Sequence, residues 1–171
     1  MDCSIVSIRS SDLQANLEEI KDLFWEYLAW ANMRLNQEYS ISLEIKSILE
    51  QDMEKIEVFM YPHSRLLLAK DGDFSVGIVC IRKIAQDVGE IKRMYVRPKL
   101  RGSGIGRLLL ETAIIESRDS GYSKIRLDST RFMTTAHALY KSAGFYEIDP
   151  YMESEIPHMF HQYWIFMEKQ L

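Results

Sequence analysis

Apolar and polar residues alternate with a period of two through Ser4–Arg9, SIVSIR, which predicts a first strand. The period then lengthens. Leu13, Leu17, Ile20, Phe24, Tyr27, Leu28, Ala31 and Leu35 recur at spacings of three and four, so a long helix facing the core follows. Ser10, Ser11 and Asp12 offer N-cap oxygens at its start. Trp25, Trp30 and Met33 fall off the stripe and are expected at its partly buried edge. Polar Asn36–Ser42 breaks the helix, and a second helix runs from there through about Met60 to Pro62. Arg65–Lys70 and Phe74–Lys83 read as strands joined by the turn Asp71-Gly72-Asp73, with Gly77 where a side chain would obstruct or the strand bends. After a second turn at Gln86–Gly89 come a strand, Glu90–Arg97, and a helix, Ile105–Ser120, stopped by Gly121. Strand Lys124–Ser129, helix Thr134–Ser142, a short strand Phe145–Ile148, a loop Asp149–His161 and a last strand Tyr163–Lys169 complete the chain. The order β-α-α-β-β-β-α-β-α-β-β predicts an α/β fold with a mixed sheet, and residues 1–171 as one domain.

One stretch of that pattern carries chemistry: Glu90 to Leu110, EIKRMYVRPKLRGSGIGRLLL. A strand ends before Pro98, which cannot donate a ladder hydrogen bond. Arg101-Gly102-Ser103-Gly104-Ile105-Gly106 follows, where missing Cβ atoms and tolerance of positive φ let consecutive N–H groups converge. The next helix points its positive dipole end and unpaired amides at the same place, and Lys99, Arg101 and Arg107 add full charges. That combination is a pyrophosphate cradle. A Walker loop is excluded, because Gly106 is followed by Arg107-Leu108 and not by Lys-Ser/Thr. The dinucleotide fingerprint is excluded by spacing, although Gly121 and Asp128 follow.

Composition narrows the ligand. A formal net charge of −4 argues against a general nucleic-acid binder, so the basic cluster at Arg101 looks placed for a single anionic ligand. Cys3 and Cys80 read as small buried hydrophobes of a reducing compartment. His158 and His161 stand three apart, but no Cys or His set completes a metal site. No signal peptide or long apolar run appears, which predicts a cytoplasmic protein without a membrane partner.

Arg101-x-x-Gly104-x-Gly106 after a valine-terminated strand resembles motif A of the GCN5-related N-acetyltransferases, Arg/Gln-x-x-Gly-x-Gly/Ala. Ala136-His137-Ala138-Leu139-Tyr140-Lys141-Ser142-Ala143-Gly144-Phe145 resembles their motif B, Ala-x-x-Leu-Tyr-x-x-x-Gly-Phe, with one strand and one helix between the two motifs. The resemblance implies the acyl-coenzyme A N-acyltransferase fold across the chain, with the fourth and fifth strands parallel and splayed. It implies acetyl-coenzyme A as co-substrate, without a metal, held by Met94, Tyr95, Val96, Arg101, Gly102, Ser103, Gly104, Ile105, Gly106, Arg107, Met133, Ala136 and Tyr140. The family often has an asparagine three residues before the motif B alanine; Met133 stands there, so Thr134, Thr135 or backbone must serve the pantetheine arm.

The same resemblance implies a role for Tyr140, protonating or hydrogen-bonding the leaving thiolate, with cofactor anchoring or packing against the sheet as the alternatives. A phenol of pKa about 10 is neutral at pH 7 and suits a thiol of about 8.5. The attacking amine must first lose a proton, a deficit of about 4 kcal/mol at pH 7 for a pKa near 10. Glu90 starts the strand leading to motif A, where family members with a catalytic glutamate often keep it. It is the expected base, with an exposed carboxylate at a turn beside Asp87 as the alternative. Glu90, Lys92 and Met94 share a strand face if no bulge intervenes. The resemblance implies that Trp30, Arg34, Glu38, Tyr39 and the Tyr151–His161 loop shape the acceptor site, with a solvated helix end and surface loop as the alternative, and these residues name no acceptor. The expected function is acetyl transfer to a small-molecule or peptide amine by direct attack in a ternary complex, and the reading allows a homodimer. A non-catalytic acyl-coenzyme A-binding module, or a transferase of a larger acyl group, stays open.

Overall fold

A computed structural model describes residues 3–60 and 62–171. Its elements are β1 (Cys3–Ser7), α1 (Ser10–Tyr39), α2 (Ile45–Glu54), β2 (Arg65–Asp71), β3 (Phe74–Ala85), β4 (Val88–Val96), α3 (Ile105–Asp119), β5 (Lys124–Thr130), α4 (Thr134–Ser142), β6 (Tyr146–Ile148) and β7 (Trp164–Gln170), with short 3-10 turns between several of them. The seven strands form one sheet in the order β1-β2-β3-β4-β5-β7-β6. All neighbours are antiparallel except β4 and β5.

The sheet is covered on both faces, and β2 shows how. Successive side chains on a strand point to opposite faces. Leu67 and Ala69 join the cluster built around Leu109, Leu110 and Ala113 of α3. Leu66 and Leu68 join the other, around Ile20, Leu23, Phe24 and Leu28 of α1. Hence RLLLAK is apolar at consecutive positions and does not alternate. Gly77 leaves no room for a side chain between β4 and α3: a Cβ there would stand 2.9 Å from the Tyr95 carbonyl oxygen and 3.1 Å from Leu109 Cδ1.

Several boundaries differ from expectation for local reasons. The Ser10–Asp12 oxygens do not cap α1; Arg9 occupies the cap position without a side-chain hydrogen bond. The helix ends where Ser40 turns left-handed at φ 56°. The second helix stops at Glu54, and a 3-10 turn, Ile56–Phe59, takes the chain on. The β3–β4 hairpin turns at Gln86-Asp87, tighter than expected, so β4 begins at Val88 and Glu90 lies inside the strand, opposite Arg82. Arg97 lies beyond β4, its N–H donating to Val76 O at 3.0 Å. Cys3 and Cys80 form no disulfide, and Cys80 is buried.

Two irregularities of β4 position the site. Its parallel ladder with β5 covers only Val88–Ile91 against Lys124–Leu127. Beyond that the strands part: β4 pairs only with β3 and β5 only with β7. Across β3, Ile78 and Cys80 face Tyr95 and Lys92, so β4 carries one extra residue there. Arg93 absorbs it at φ 53°. The bulge therefore intervenes between Lys92 and Met94, and only Glu90 and Lys92 keep the strand's regular alternation.

Candidate active site between β4 and β5

The loop after β4 is built from turns that the glycines permit. Leu100 N–H donates to Arg97 O and Arg101 N–H to Pro98 O, closing a 3-10 turn at Pro98–Leu100. Gly102 and Gly104 then adopt φ 83° and 92°, a region that side-chain-bearing residues rarely occupy. A Cβ at either would meet no atom within 4 Å, so the glycines serve backbone conformation and the loop surface is open. Gly104 caps α3, whose first N–H groups have no acceptor within the helix. At Gly106, in the first turn of α3, a Cβ would sit 3.6 Å from Leu139 Cδ2, so the start of α3 and α4 meet there.

The predicted cations lie differently from one another. Arg101 Nε donates to Val96 O at 3.0 Å, and its guanidinium lies 4.7 Å from the ring centre of Trp30 and 5.5 Å from that of Tyr95. Trp30, off the main stripe of α1, thus has a use that helical periodicity does not reveal: it is a platform for the motif A arginine. Lys99 and Arg107 are exposed, the latter 3.8 Å from Glu111.

Tyr140 is buried on α4, with Phe145 at 5.9 Å between ring centres. Its hydroxyl points to Met94 Sδ at 3.8 Å, across the opening between the strands. Burial pushes its pKa up from the usual value near 10, so the phenol keeps its proton. A cavity there is lined by Met94, Ile91, Leu127, Asp128, Met133 and Tyr140. Met133 precedes α4 and accepts from Ser129 Oγ at 3.4 Å; Ala136 packs on the adjoining core. Tyr95 turns the other way, packing edge-on against Tyr27 of α1 at 6.1 Å.

On the α1–α2 side the opening widens into a cavity of about 490 Å³. Its apolar walls include Leu28, Ala31, Leu35, Phe59, Phe160 and Trp164. The 3-10 segment His158–Tyr163 before β7, unforeseen in the sequence, supplies Phe160. Thr130 Oγ1, on the wall, is buried without a hydrogen-bond partner.

A cluster of charges crosses that cavity. Glu90 is fully buried, not exposed at a turn. It accepts from Arg82 Nε at 2.5 Å and from the Tyr151 hydroxyl at 2.6 Å, and it lines neither cavity. Asp128 lines both, accepting from Lys92 Nζ at 3.1 Å and Ser154 Oγ at 3.4 Å. Burial presses the Lys92 ammonium toward neutrality, but the charges of Asp128, Glu90 and Glu155 outweigh it and hold its pKa above the usual 10.5. Arg93, at the bulge, grips Asp52 of α2 through two hydrogen bonds of 2.7 and 2.9 Å. No group of three or more His, Cys, Asp or Glu among the described residues is arranged to hold a metal ion.

Residues 17–145 match the acetyltransferase (GNAT) family. An uncharacterised N-acetyltransferase of Schizosaccharomyces pombe is 32% identical over 158 residues, covering 91% of this chain and 92% of its own. The aminoglycoside N(6')-acetyltransferase type 1 of Stenotrophomonas maltophilia is 28% identical, covering 75% and 86%. Among solved structures, the PaiA N-acetyltransferase of Thermoplasma acidophilum in complex with coenzyme A superposes with a TM-score of 0.74 over 100% of both chains, at 20% identity. The splayed parallel pair, the glycine loop and this likeness agree, and the chain belongs to the acetyltransferase (GNAT) family, as an enzyme of the N-acetyltransferase class.

Proposed function

We propose that the enzyme moves an acetyl group from acetyl-coenzyme A to the primary amine of a small molecule, by direct attack with both substrates bound. One observation carries this reading. The gap between β4 and β5 opens on an apolar cavity of about 490 Å³, and the glycine loop follows the end of the same β4, with Gly106 against Val96 and against Leu139 of α4, next to Tyr140. Gly102, Gly104 and the amide end of α3 fit a pyrophosphate in both charge and clearance. Met94, Val96 and the start of α4 at Met133 and Ala136 flank the path from there to Tyr140.

In this reading the amine nitrogen forms the new C–N bond as the C–S bond breaks, and Tyr140 gives its proton to the departing thiolate. The amine's proton goes to a carboxylate. Glu90 was the expected base, but with both oxygens engaged and no exposed surface it supports the site by holding Arg82 and Tyr151. Asp128, on the wall of both cavities, is the carboxylate an amine can meet directly or through one water. This reading places the enzyme in the cytoplasm; among the described residues no helix is long and apolar enough to cross a membrane.

A thiol-release assay with acetyl-coenzyme A against amines, amino acids and peptides tests the reading. Release that depends on acceptor and falls in Asp128→Asn is expected. Tight coenzyme A binding with no release on any acceptor would leave a binding module instead.

A further inference from the structure

The charge cluster has a feature that acetyl transfer alone does not require. Arg82 and Lys92 are two cations, while Glu90, Asp128 and Glu155 are three carboxylates in contact with them. The three carboxylates are not equivalent. The side chain of Glu90 is 0% exposed and that of Asp128 8%, and both sit on strands. Glu155 is 53% exposed and sits on the loop between β6 and β7. It bonds Arg82 Nη1 and lies 3.5 Å from Lys92 Nζ, at the wall of the larger cavity.

Without Glu155, two cations and two carboxylates remain, in balance, with one guanidinium edge and one ammonium facing the cavity. A carboxylate arriving from solvent would restore every contact that Glu155 makes. A plain amine gains nothing from displacing Glu155. The loop is also the cavity's cover, since Ile156, Pro157 and Phe160 follow in the same segment and line it. It is fastened by contacts that can be exchanged: Ser154 Oγ to Asp128, and Glu153 to Arg82 through its carbonyl at 3.4 Å and to Arg126 at 3.6 Å.

We propose that Glu155 stands in for a carboxylate of the acceptor, and that the acceptor is an amino acid with an apolar side chain. Its carboxylate displaces Glu155 from Arg82 and Lys92, its amine lies toward Asp128 and the gap, and its side chain fills the pocket of Leu28, Leu35, Phe59 and Trp164. The Coulomb attraction that holds Glu155 is the one the ligand inherits. Its pKa is held below the usual carboxylate range because Lys92 and Arg82 outweigh the burial that pushes it up. This rests on the transferase reading above but concerns a separate contact, and the two fail separately.

The probes are N-acetyl-L-phenylalanine and its amide, which differ by one charge, titrated calorimetrically into the enzyme with coenzyme A present. The acid should bind about tenfold or more tightly than the amide, the scale of a charge-assisted hydrogen bond. Glu155→Gln removes the competitor, so it should tighten the acid further and leave the amide unchanged. Equal affinities, a weakened acid in Glu155→Gln, or no binding of either compound would overturn the proposal. Thiol release is then measured with L-phenylalanine, its amide and phenethylamine. Release from the amine and amide but not the acid would keep the transferase and discard the carboxylate site. Acid-selective binding with no release would do the reverse.

Discussion

On the α3–α4 side of the β4–β5 gap the structure rests mainly on backbone: two left-handed glycines and the amide end of α3, with Arg101 bonded to the Val96 carbonyl, and Met94 beside one buried phenol. On the α1–α2 side it rests on charge: Arg82, Lys92, Arg93, Asp52, Asp128 and Glu155 in ion pairs against an apolar wall. The first side is fixed by backbone geometry, which many sequences can supply if a few glycines are kept. The second is fixed by partners far apart in the chain, such as Arg93 with Asp52. A protein that takes a common co-substrate and a particular acceptor has reason to be built this way. The two sides should also fail in different ways.

The largest expected effect is on the backbone side. Gly104→Asp forces a side-chain-bearing residue to φ 92° and sets a negative charge at the helix end. Strain of about 1–3 kcal/mol and repulsion of a phosphate should together weaken coenzyme A binding about 10²–10³-fold. Gly104→Asn carries the strain without the charge, so the calorimetric gap between the two variants isolates electrostatics. Coenzyme A affinity equal to wild type in Gly104→Asp would remove the cradle from this loop.

Next is Tyr140. Phe at this position keeps the ring against Phe145 and deletes the hydroxyl that faces Met94. Loss of a general acid should lower turnover about 10²-fold, with coenzyme A affinity and melting temperature near wild type. A drop in melting temperature with turnover intact would make Tyr140 a packing residue.

On the charged side the signature is stability. Asp52→Asn leaves Arg93 without its counter-ion at a site where both side chains are under a fifth exposed. Breaking a fully buried pair costs about 3–5 kcal/mol; with this residual exposure about 2–3 is expected. Denaturant unfolding measures it, and coenzyme A affinity of the folded variant should not change. A variant as stable as wild type would show that packing alone holds α2 to the bulge.

How well each side could be read from the sequence follows from the same difference. The glycine loop, the α3 start and Leu139-Tyr140 are contiguous signals, and the structure brings Gly106 against Leu139 of α4. The order of elements follows from periodicity, and the parallel β4–β5 pair from the resemblance to known acetyltransferases. The Arg93 bulge was left open, because nothing in Lys92-Arg93-Met94 marks a left-handed arginine. Glu90 shows the harder limit. Its burial is set by Arg82 eight residues earlier and Tyr151 sixty-one residues later, and neither distance leaves a local trace. The position of Asp128 leaves no local signal either, since it depends on where β5 leaves β4.

The smallest expected effect returns to the backbone side, to a histidine on α4. His137 of α4 is half-buried, its Nε2 3.1 Å from Ser129 Oγ on β5. Burial lowers its pKa from the usual 6.5, and Lys141 and Arg131 push the same way; a bond with the Thr130 backbone and the charge of Glu147 push back but do not prevail. Below 6.5 the unfolded chain therefore binds more protons here than the folded one. Stability from this group is complete above that pH and is lost as the pH falls through the usual histidine range toward the lower folded value. The melting temperature of wild type should decline as pH drops below about 6.5. In His137→Gln that part of the decline should vanish, while every other contribution to the pH dependence stays common to both proteins. Subtracting the two melting curves against pH isolates the residue. Parallel profiles would mean that α4 is anchored to β5 without regard to the protonation of His137, and that the backbone side of the gap carries no pH-sensitive contact at this position.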